Sequence, residues 1–356
     1  MMTFDDVISF GELYKGLQKA KRGVLWKNSV ASYDLNALEN TYKLRESLID
    51  GSYRISEYQT FRVYEPKERE IVATRLKDRQ FQRSLCDNIL YPEITKGFIY
   101  DNCACLRGKG VDFALKRLKT HLQRYYRKHG NQGWVLKCDI RHYFQETPHE
   151  TAKAALRKRI RDERALKAAE DIVDSFGGDR GIGLGSQVSQ LIELAVLDKL
   201  DHYIKERLRI KYYIRYMDDF ILIHPDREML NQALHDIRER IEALGLTLNR
   251  KTQIMPLRHG IRFLKWRHIL TETGKVILRI HRSSIRREKR RLKNLAKKVE
   301  KGRISMDRMD VSFLSWKAHA MRGNTGKVIL RMKKYYEELK GEMEHEQGYL
   351  ITGTVD

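Results

Sequence analysis

Two apolar runs, Tyr212 to Tyr216 and Phe220 to Ile223, are separated only by Met217-Asp218-Asp219. So short a break between runs rich in Tyr, Ile and Phe predicts strand, tight turn, strand, with acid presented at a hairpin tip. Adjacent carboxylates between hydrophobic strands repel one another and are costly to desolvate unless a cation compensates. Asp is also favoured in ordinary exposed turns, so the pair alone does not decide its role. A further acidic position bears on it: Trp134-Val-Leu-Lys-Cys-Asp139-Ile140 reads as a short buried strand with Asp139 near its end. Set beside the hairpin, that strand supplies a third carboxylate. Such a set suits two divalent cations about 4 Å apart, one activating an attacking hydroxyl and one supporting a leaving pyrophosphate in phosphoryl transfer.

The charge balance points the same way. Lys and Arg number 70 against 47 Asp and Glu, a formal charge of +23, well beyond what solubility needs, and it implies a polyanionic partner. Nucleic acid is the first candidate and a membrane surface the competitor. No run approaches the roughly 20 apolar residues of a spanning helix, and Met-Met-Thr-Phe-Asp-Asp lacks a basic-then-apolar leader, so a soluble cytoplasmic protein is expected, with no membrane partner. The four cysteines, Cys86, Cys103, Cys105 and Cys138, contain one close pair and no neighbouring His to complete a zinc site; reduced structural thiols are expected.

With 41% apolar residues and only five prolines, the chain has enough to fill its cores and no obvious linker. Residues 1–50 read as basic helices. Thr60 to Tyr64 and Glu70 to Ala73 suit a strand pair turning at Glu65-Pro66-Lys67, and helical spacing runs from Phe81 to about Leu122. A charged amphipathic region, 150–176, stops at Gly177-Gly178, and Ser186 or Ser189 then caps one long helix with apolar positions from Leu191 to Leu208. Met229 to Leu244 mark another amphipathic helix. From Ser283 the chain is helical and basic: Ile285, Leu292, Leu295, Ala296 and Val299 share one side of a helix whose other surface carries Arg286, Arg287, Lys289, Arg290 and Lys293. Trp316, Tyr335 and Tyr336 read as core.

Tyr216-Met-Asp-Asp219 between two hydrophobic strands is the signature box of reverse transcriptases. The chain resembles the prokaryotic reverse transcriptases related to group II introns and retrons, and most closely those of diversity-generating retroelements. The similarity runs in the family's order through Val63-Tyr-Glu-Pro-Lys67 to Arg79, Ala104-Cys-Leu-Arg107-Gly-Lys-Gly110, Lys137-Cys-Asp139-Ile-Arg-His-Tyr-Phe144, Gly181-Ile-Gly-Leu-Gly-Ser-Gln-Val-Ser-Gln190, Arg215-Tyr-Met-Asp-Asp219, Gly245-Leu-Thr-Leu-Asn-Arg-Lys251-Thr, Phe263-Leu-Lys-Trp266 and Phe313-Leu-Ser-Trp-Lys-Ala-His319. This resemblance implies an α+β right-hand polymerase fold. Its segments would be an N-terminal helical extension (1–50), fingers (51–130), a palm (131–270) of antiparallel sheet with helices on one face, a basic helical thumb (271–345) and a tail (346–356), with 150–180 partly fingers-like helices.

The resemblance also implies roles. Asp139, Asp218 and Asp219 would hold two Mg²⁺, or Mn²⁺ in substitution, with the Ile140 carbonyl contributing. Lys67, Arg69, Arg75 and Arg107 would neutralise the triphosphate of a dNTP, a task suited to Arg's fork and Lys's point charge. Phe144 sits where the family places an aromatic gate against the ribose 2′-hydroxyl; a core aromatic is its bland alternative. Lys251 would protonate the departing pyrophosphate. Phe263, Leu264, Lys265 and Trp266 occupy the primer-grip position, with Lys265 where a glycine is usual, and Ala318 stands at a common thumb glycine. Thr271 to Leu278 reads as an extra hairpin. Leu184, beside Gly185 and ahead of Gln190, stands where related enzymes carry a Gln that contacts the incoming nucleotide. Replacing that amide by an apolar group removes a geometric check on pairing, although a Leu that merely packs under the loop gives the same sequence.

An RNA-directed DNA polymerase making cDNA with errors at template adenines is therefore expected, working on template RNA and the RNA–DNA hybrid with dNTPs, structured RNA and a small basic helical accessory protein. The alternatives are an antiphage defence reverse transcriptase and a catalytically idle RNA-binding scaffold, the latter disfavoured by the intact acids.

Overall fold

The computed structural model describes residues 2–64 and 68–352, leaving aside the side chains of 343–352. Lys67, with the rest of the Glu65-Pro66-Lys67 turn, lies outside the described residues. In chain order the N-terminal helices are α1 (Phe4–Val7), α2 (Phe10–Ala20), α3 (Asn28–Leu35) and α4 (Ala37–Ile49); the hairpin follows as β1 (Gln59–Val63) and β2 (Arg69–Ala73), then α5 (Leu76–Leu85), α6 (Tyr91–Thr95) and α7 (Val111–His129). Next come β3 (Trp134–Asp139), α8 (Tyr143–Glu146), α9 (His149–Arg157), α10 (Glu163–Asp174), α11 (Gln187–Val196) and α12 (Asp198–His202). The acidic hairpin is β4 (Tyr212–Tyr216) and β5 (Asp219–His224), followed by α13 (Arg227–Ala243), β6 (Gln253–Pro256), β7 (Ile261–Phe263), β8 (Trp266–Leu270), β9 (Val276–Ile280), α14 (Arg282–Glu300), α15 (Met306–Ala320) and α16 (Gly326–Thr352). The mixed α and β architecture expected from the sequence is present.

The chain divides into two compact units. The first comprises Met1–Gly110, Leu136–Leu222 and Glu228–Ile254, and the second Val111–Val135, Ile223–Arg227 and Met255–Asp356. In the first, α2 lies tightly against α5 because Gly16 faces it: a methyl there would come within 2.6 Å of the Gln80 carbonyl oxygen. β1 and β2 pair antiparallel, Gln59 opposite Ala73 and Val63 opposite Arg69. The sheet carrying the acidic residues has the order β4-β5-β3-β6, and its strands read as near-continuous apolar runs because most of their residues are buried.

One expectation is corrected. The apolar series from Leu191 to Leu208 is not a single helix: α11 ends at Val196 with Leu197 as its cap, α12 begins at Asp198, and a π-helical turn, Tyr203–Arg207, follows. Ser186 caps α11, its side chain accepting from the Val188 amide. The break coincides with two buried acids, Asp198 and Asp201, which pair with Arg159 and Arg215 respectively; a run that must also aim carboxylates at cations inside the fold departs from simple apolar spacing.

In the second unit β7, β8 and β9 form an antiparallel sheet; the hairpin expected over Thr271 to Leu278 is wider, with β8 as its first strand, 271–275 as its turn and β9 as its second strand. It packs on α7, and α14, α15 and α16 pack on one another. Leu292, Ala296 and Val299 of α14 are buried, Ile285 and Leu295 half-buried, and Arg286, Arg287, Lys289, Arg290 and Lys293 exposed. Trp316 and Tyr336 are core, Tyr336 stacking on Phe313 with centroids 4.4 Å apart; Tyr335 is half-buried under the Lys289 ammonium, 4.5 Å from its ring centre. Cys86, Cys103 and Cys138 are buried and unbridged, whereas Cys105 is exposed.

Candidate active site

Met217 and Asp218 make the whole of the turn between β4 and β5, and Asp219 is the first residue of β5. Met217 takes a left-handed conformation, φ +55°, unusual for a side-chain-bearing residue and the sign of a turn held by its surroundings. β3 is the neighbour of β5, and Asp139 at its end is near enough for its charge to act on Asp218 and Asp219. Asn249 donates its amide to the Asp139 carbonyl at 2.7 Å, and Arg141 donates to the Thr247 carbonyl at 2.9 Å, which ties the Lys251 segment to this strand end. Lys251 is exposed, its amide donating to Asn249 Oδ1 at 3.1 Å.

The three carboxylates act on one another. Burial first, then the Asp139 charge, pushes Asp218 above the usual carboxylate range, against its own backbone amide, Arg69 and Arg215. Burial also lifts Asp219, to about 6, with Lys137 opposing and the Asp139 and Asp218 charges adding. Lys137 Nζ lies 3.2 Å from Asp219 Oδ2, while Asp219 Oδ1 is buried with no hydrogen-bond partner. That orphaned oxygen, in a set of hard carboxylate donors, fits an Mg²⁺ or Mn²⁺ site. Among the described residues no group of three His, Cys, Asp or Glu already converges as a metal would require, so the donors are chemically suited but not preassembled.

Behind the turn lies a buried polar network absent from the motif-based expectations. Arg215 is fully buried and donates from Nε to Asp201 Oδ1 at 2.7 Å, from Nη2 to Asp201 Oδ2 at 2.6 Å and the Leu194 carbonyl at 3.2 Å, and from Nη1 to the Met217 carbonyl at 3.2 Å. Tyr213 adds a hydroxyl donated to Asp201 Oδ1 at 2.6 Å. The Arg215 fork thus connects α12, α11 and the acidic turn. Beside it Glu193 is buried, its carboxyl raised to about 8 chiefly by desolvation, which favours the neutral acid. Thr147 donates to Glu193 Oε2 at 3.1 Å, and the Tyr143 hydroxyl donates to the Glu193 carbonyl at 2.6 Å. The available sequence signal was a lone Glu in Leu191-Ile-Glu-Leu-Ala-Val196 and an Arg inside an apolar strand.

The glycine-rich loop is fixed against the β1–β2 hairpin. Val72 donates its amide to the Leu184 carbonyl at 3.1 Å; Gly185 has φ +133° and lies so close that a methyl there would be 3.1 Å from the Val72 carbonyl oxygen. A cavity of about 360 Å³ is lined by Tyr58, Thr60, Val72, Phe144, Arg180 and Leu184 among others, so the structure does bring Phe144 and Leu184 together. Gln190 is half-buried on α11, and Ile140 is buried. Arg69 is exposed and near enough to act on the Asp218 charge, whereas Arg75 is exposed at the start of α5. Arg107 is turned to other partners, over the Tyr91 ring at 4.6 Å and 3.9 Å from Asp87.

Within the second unit Phe263 and Trp266 are buried, and Leu264 and Lys265 form the β7–β8 turn, with φ +48° and +71°. Lys265 therefore occupies a backbone conformation that favours glycine.

The reverse transcriptase (RNA-dependent DNA polymerase) family matches residues 67–268, more than half of the chain. The chain belongs to this family. It is accordingly an RNA-directed DNA polymerase, of a family whose members use divalent metal ions. This reverse transcriptase is similar to Protein YkfC of Escherichia coli (strain K12), 26% identical over 272 residues that cover 64% of this chain and 70% of that protein. Among solved structures it is similar to telomerase from Candida albicans in complex with a TWJ fragment of telomeric RNA, with a TM-score of 0.49 and 10% identity over 72% of this chain and 55% of that one. Apo telomerase from Candida tropicalis truncated from its C-terminal domain gives 0.49 and 11%, over 68% and 60%. This reverse transcriptase thus spans little more than half the length of those telomerase chains. No helix among its described residues is long and apolar enough to cross a membrane.

Proposed function

We propose that this enzyme copies a retroelement template RNA into cDNA by two-metal phosphoryl transfer, with Asp139, Asp218 and Asp219 as the metal ligands and the Ile140 carbonyl beside them. The observation that carries this reading is the half-buried acidic cluster: carboxyls at Asp218 and Asp219 raised by desolvation and by neighbouring carboxylates, and an orphaned Asp219 oxygen. Bound Mg²⁺, or Mn²⁺, supplies the charge that makes a primer 3′-hydroxyl acidic and stabilises pyrophosphate. The chain's own residues do the rest. Lys137 balances the Asp219 charge, Arg215 holds the turn that presents Asp218, and Arg69, with Lys67, Arg75 and Arg107 as further candidates, neutralises the triphosphate of the dNTP. Phe144 restricts the sugar, Leu184, Gly185 and Gln190 border the nucleotide, and Lys251 donates a proton to the leaving group. Phe263 to Trp266 grip the primer, and Arg286, Arg287, Lys289, Arg290 and Lys293 of the thumb track phosphates. The 51–130, 131–270 and 271–345 segments act as fingers, palm and thumb.

The finer reading is a diversity-generating enzyme that misincorporates opposite template adenine and works with structured RNA and a small basic accessory protein. What supports it is the apolar Leu184, which lines the same cavity as Phe144 and stands where an amide would otherwise check the base pair. The test is extension of a DNA primer on the element's own RNA, followed by sequencing of the cDNA. Errors concentrated opposite adenine are expected. Uniform fidelity or untemplated repeats would remove the diversity-generating reading, the latter favouring a defence enzyme; no extension with RNA, primer and Mg²⁺ present would remove the polymerase mechanism.

A further inference from the structure

The β7–β9 sheet has one face turned into the second unit, where Phe263, Trp266, His268 and Leu278 are buried. Strand alternation puts Arg262, Arg267 and Arg279 on the other face, and all three are exposed. Sequence spacing alone hides what the register shows. Arg262 is the direct cross-strand partner of Arg267, and Arg267 that of Arg279. Three arginines therefore stand in a single row across strands about 4.8 Å apart.

Such a row opposes folding, since like charges directly opposite one another destabilise strand pairing. The strands themselves, Ile261–Phe263, Trp266–Leu270 and Val276–Ile280, contain no Asp or Glu. The middle member is held in place, with Arg267 Nε and Nη2 donating to the His259 carbonyl at 3.2 and 2.6 Å. A row of planar forks on rigid strands suits the charge and bidentate geometry of phosphates along a backbone better than a scattered acidic protein surface, and the +23 net charge of the chain favours a polyanion of that kind. We propose that this face is a binding site for the phosphate backbone of RNA, built wholly within the second unit and additional to the residues that handle primer and nucleotide.

Backbone binding of this kind is read by salt dependence, each neutralised phosphate adding about 0.9 to the slope of log affinity against log salt on a duplex. The experiment uses the full chain and a fluorescently labelled RNA hairpin, titrated by anisotropy from 50 to 200 mM salt in EDTA without dNTPs. The variant Arg262→Gln/Arg279→Gln leaves Arg267 and its bond to His259 in place. Its slope is expected to be shallower by about 2, so that the fourfold salt increase weakens it roughly tenfold less than the wild type. Its melting temperature is expected to be equal or higher, because the like-charge row is relieved. Arg22→Gln/Lys43→Gln, which removes the same charge from exposed positions in the first unit, is expected to keep the wild-type slope. An unchanged slope in the arginine variant, or an equal change in both variants, overturns the proposal; so does selective loss of polyglutamate binding with RNA binding intact, which would make the face a protein-docking surface. If the arginine variant melts below the wild type, Arg279→Gln alone is measured, with a slope change of about 1 expected and none overturning the site. Because metal and dNTPs are absent, failure here leaves the polymerase mechanism untouched, and failure of primer extension leaves this site untouched.

Discussion

Asp201→Asn is expected to destabilise this reverse transcriptase by about 3–5 kcal/mol, because it leaves Arg215 charged, buried and without its counter-ion. The size follows from the surroundings: both side chains are 0% exposed and joined by two short bonds, 2.7 and 2.6 Å, with Tyr213 bonded to the same carboxylate. For a folded unit of this size each kcal/mol moves the melting temperature by about 2–4 °C, so the expected drop is about 6–20 °C. Arg215→Met/Asp201→Leu removes both charges and is expected to recover much of that loss, since apolar replacement of a buried pair is often neutral. Activity should not recover with it, because the Arg215 bond to the Met217 carbonyl is gone and the left-handed turn loses its anchor. Calorimetry on wild type, Asp201→Leu, Arg215→Met and the double gives the coupling energy, and primer extension is measured where all four are folded. If Asp201→Asn melts within about 2 °C of wild type, or if the double variant regains activity together with stability, the network does not position the turn.

Three further outcomes follow from the same site. Glu193→Gln should match wild type near pH 4.5 and become relatively more stable by about 1.4 kcal/mol per pH unit up to about pH 8: the folded carboxyl, raised to about 8, keeps its proton while the unfolded one loses it. Melting curves across that range check this, and parallel curves would refute it. Apparent Mg²⁺ affinity should fall as pH drops below about 6, approaching tenfold per unit, as protons compete for Asp219; calorimetric titration showing no pH dependence would contradict the assignment. Leu184→Gln should lower errors opposite template adenine several-fold in sequenced cDNA with extension retained, and an unchanged spectrum would leave Leu184 a packing residue.

Apolar patterning made the acidic hairpin and the β3 strand legible, because both signals are local and the turn between the hairpin strands is only Met217-Asp218. The same patterning hid the Arg215–Asp201 pair. A charged residue in a strand or helix reads as a surface position, and only the three-dimensional fold shows that this one closes on a partner inside. It also joined α11 and α12 into one helix, since buried acids interrupt the backbone without interrupting the apolar series. The arginine row was out of reach for another reason. Alternation in β7, β8 and β9 is visible, but register depends on the turns, and Leu264-Lys265 adopts two left-handed conformations without the Asn-Gly signature that would announce them.

Whether Asp139, Asp218 and Asp219 hold the catalytic metals is read from Mg²⁺-dependent dNTP incorporation on an RNA template with Asp218→Ala. The variant is expected to fold with a melting temperature at or above wild type, since a half-buried carboxylate beside like charges is removed, while incorporation falls by at least about 10³-fold, the scale of several kcal/mol of lost transition-state stabilisation. A folded Asp218→Ala protein that extends primers at the wild-type rate would contradict that assignment.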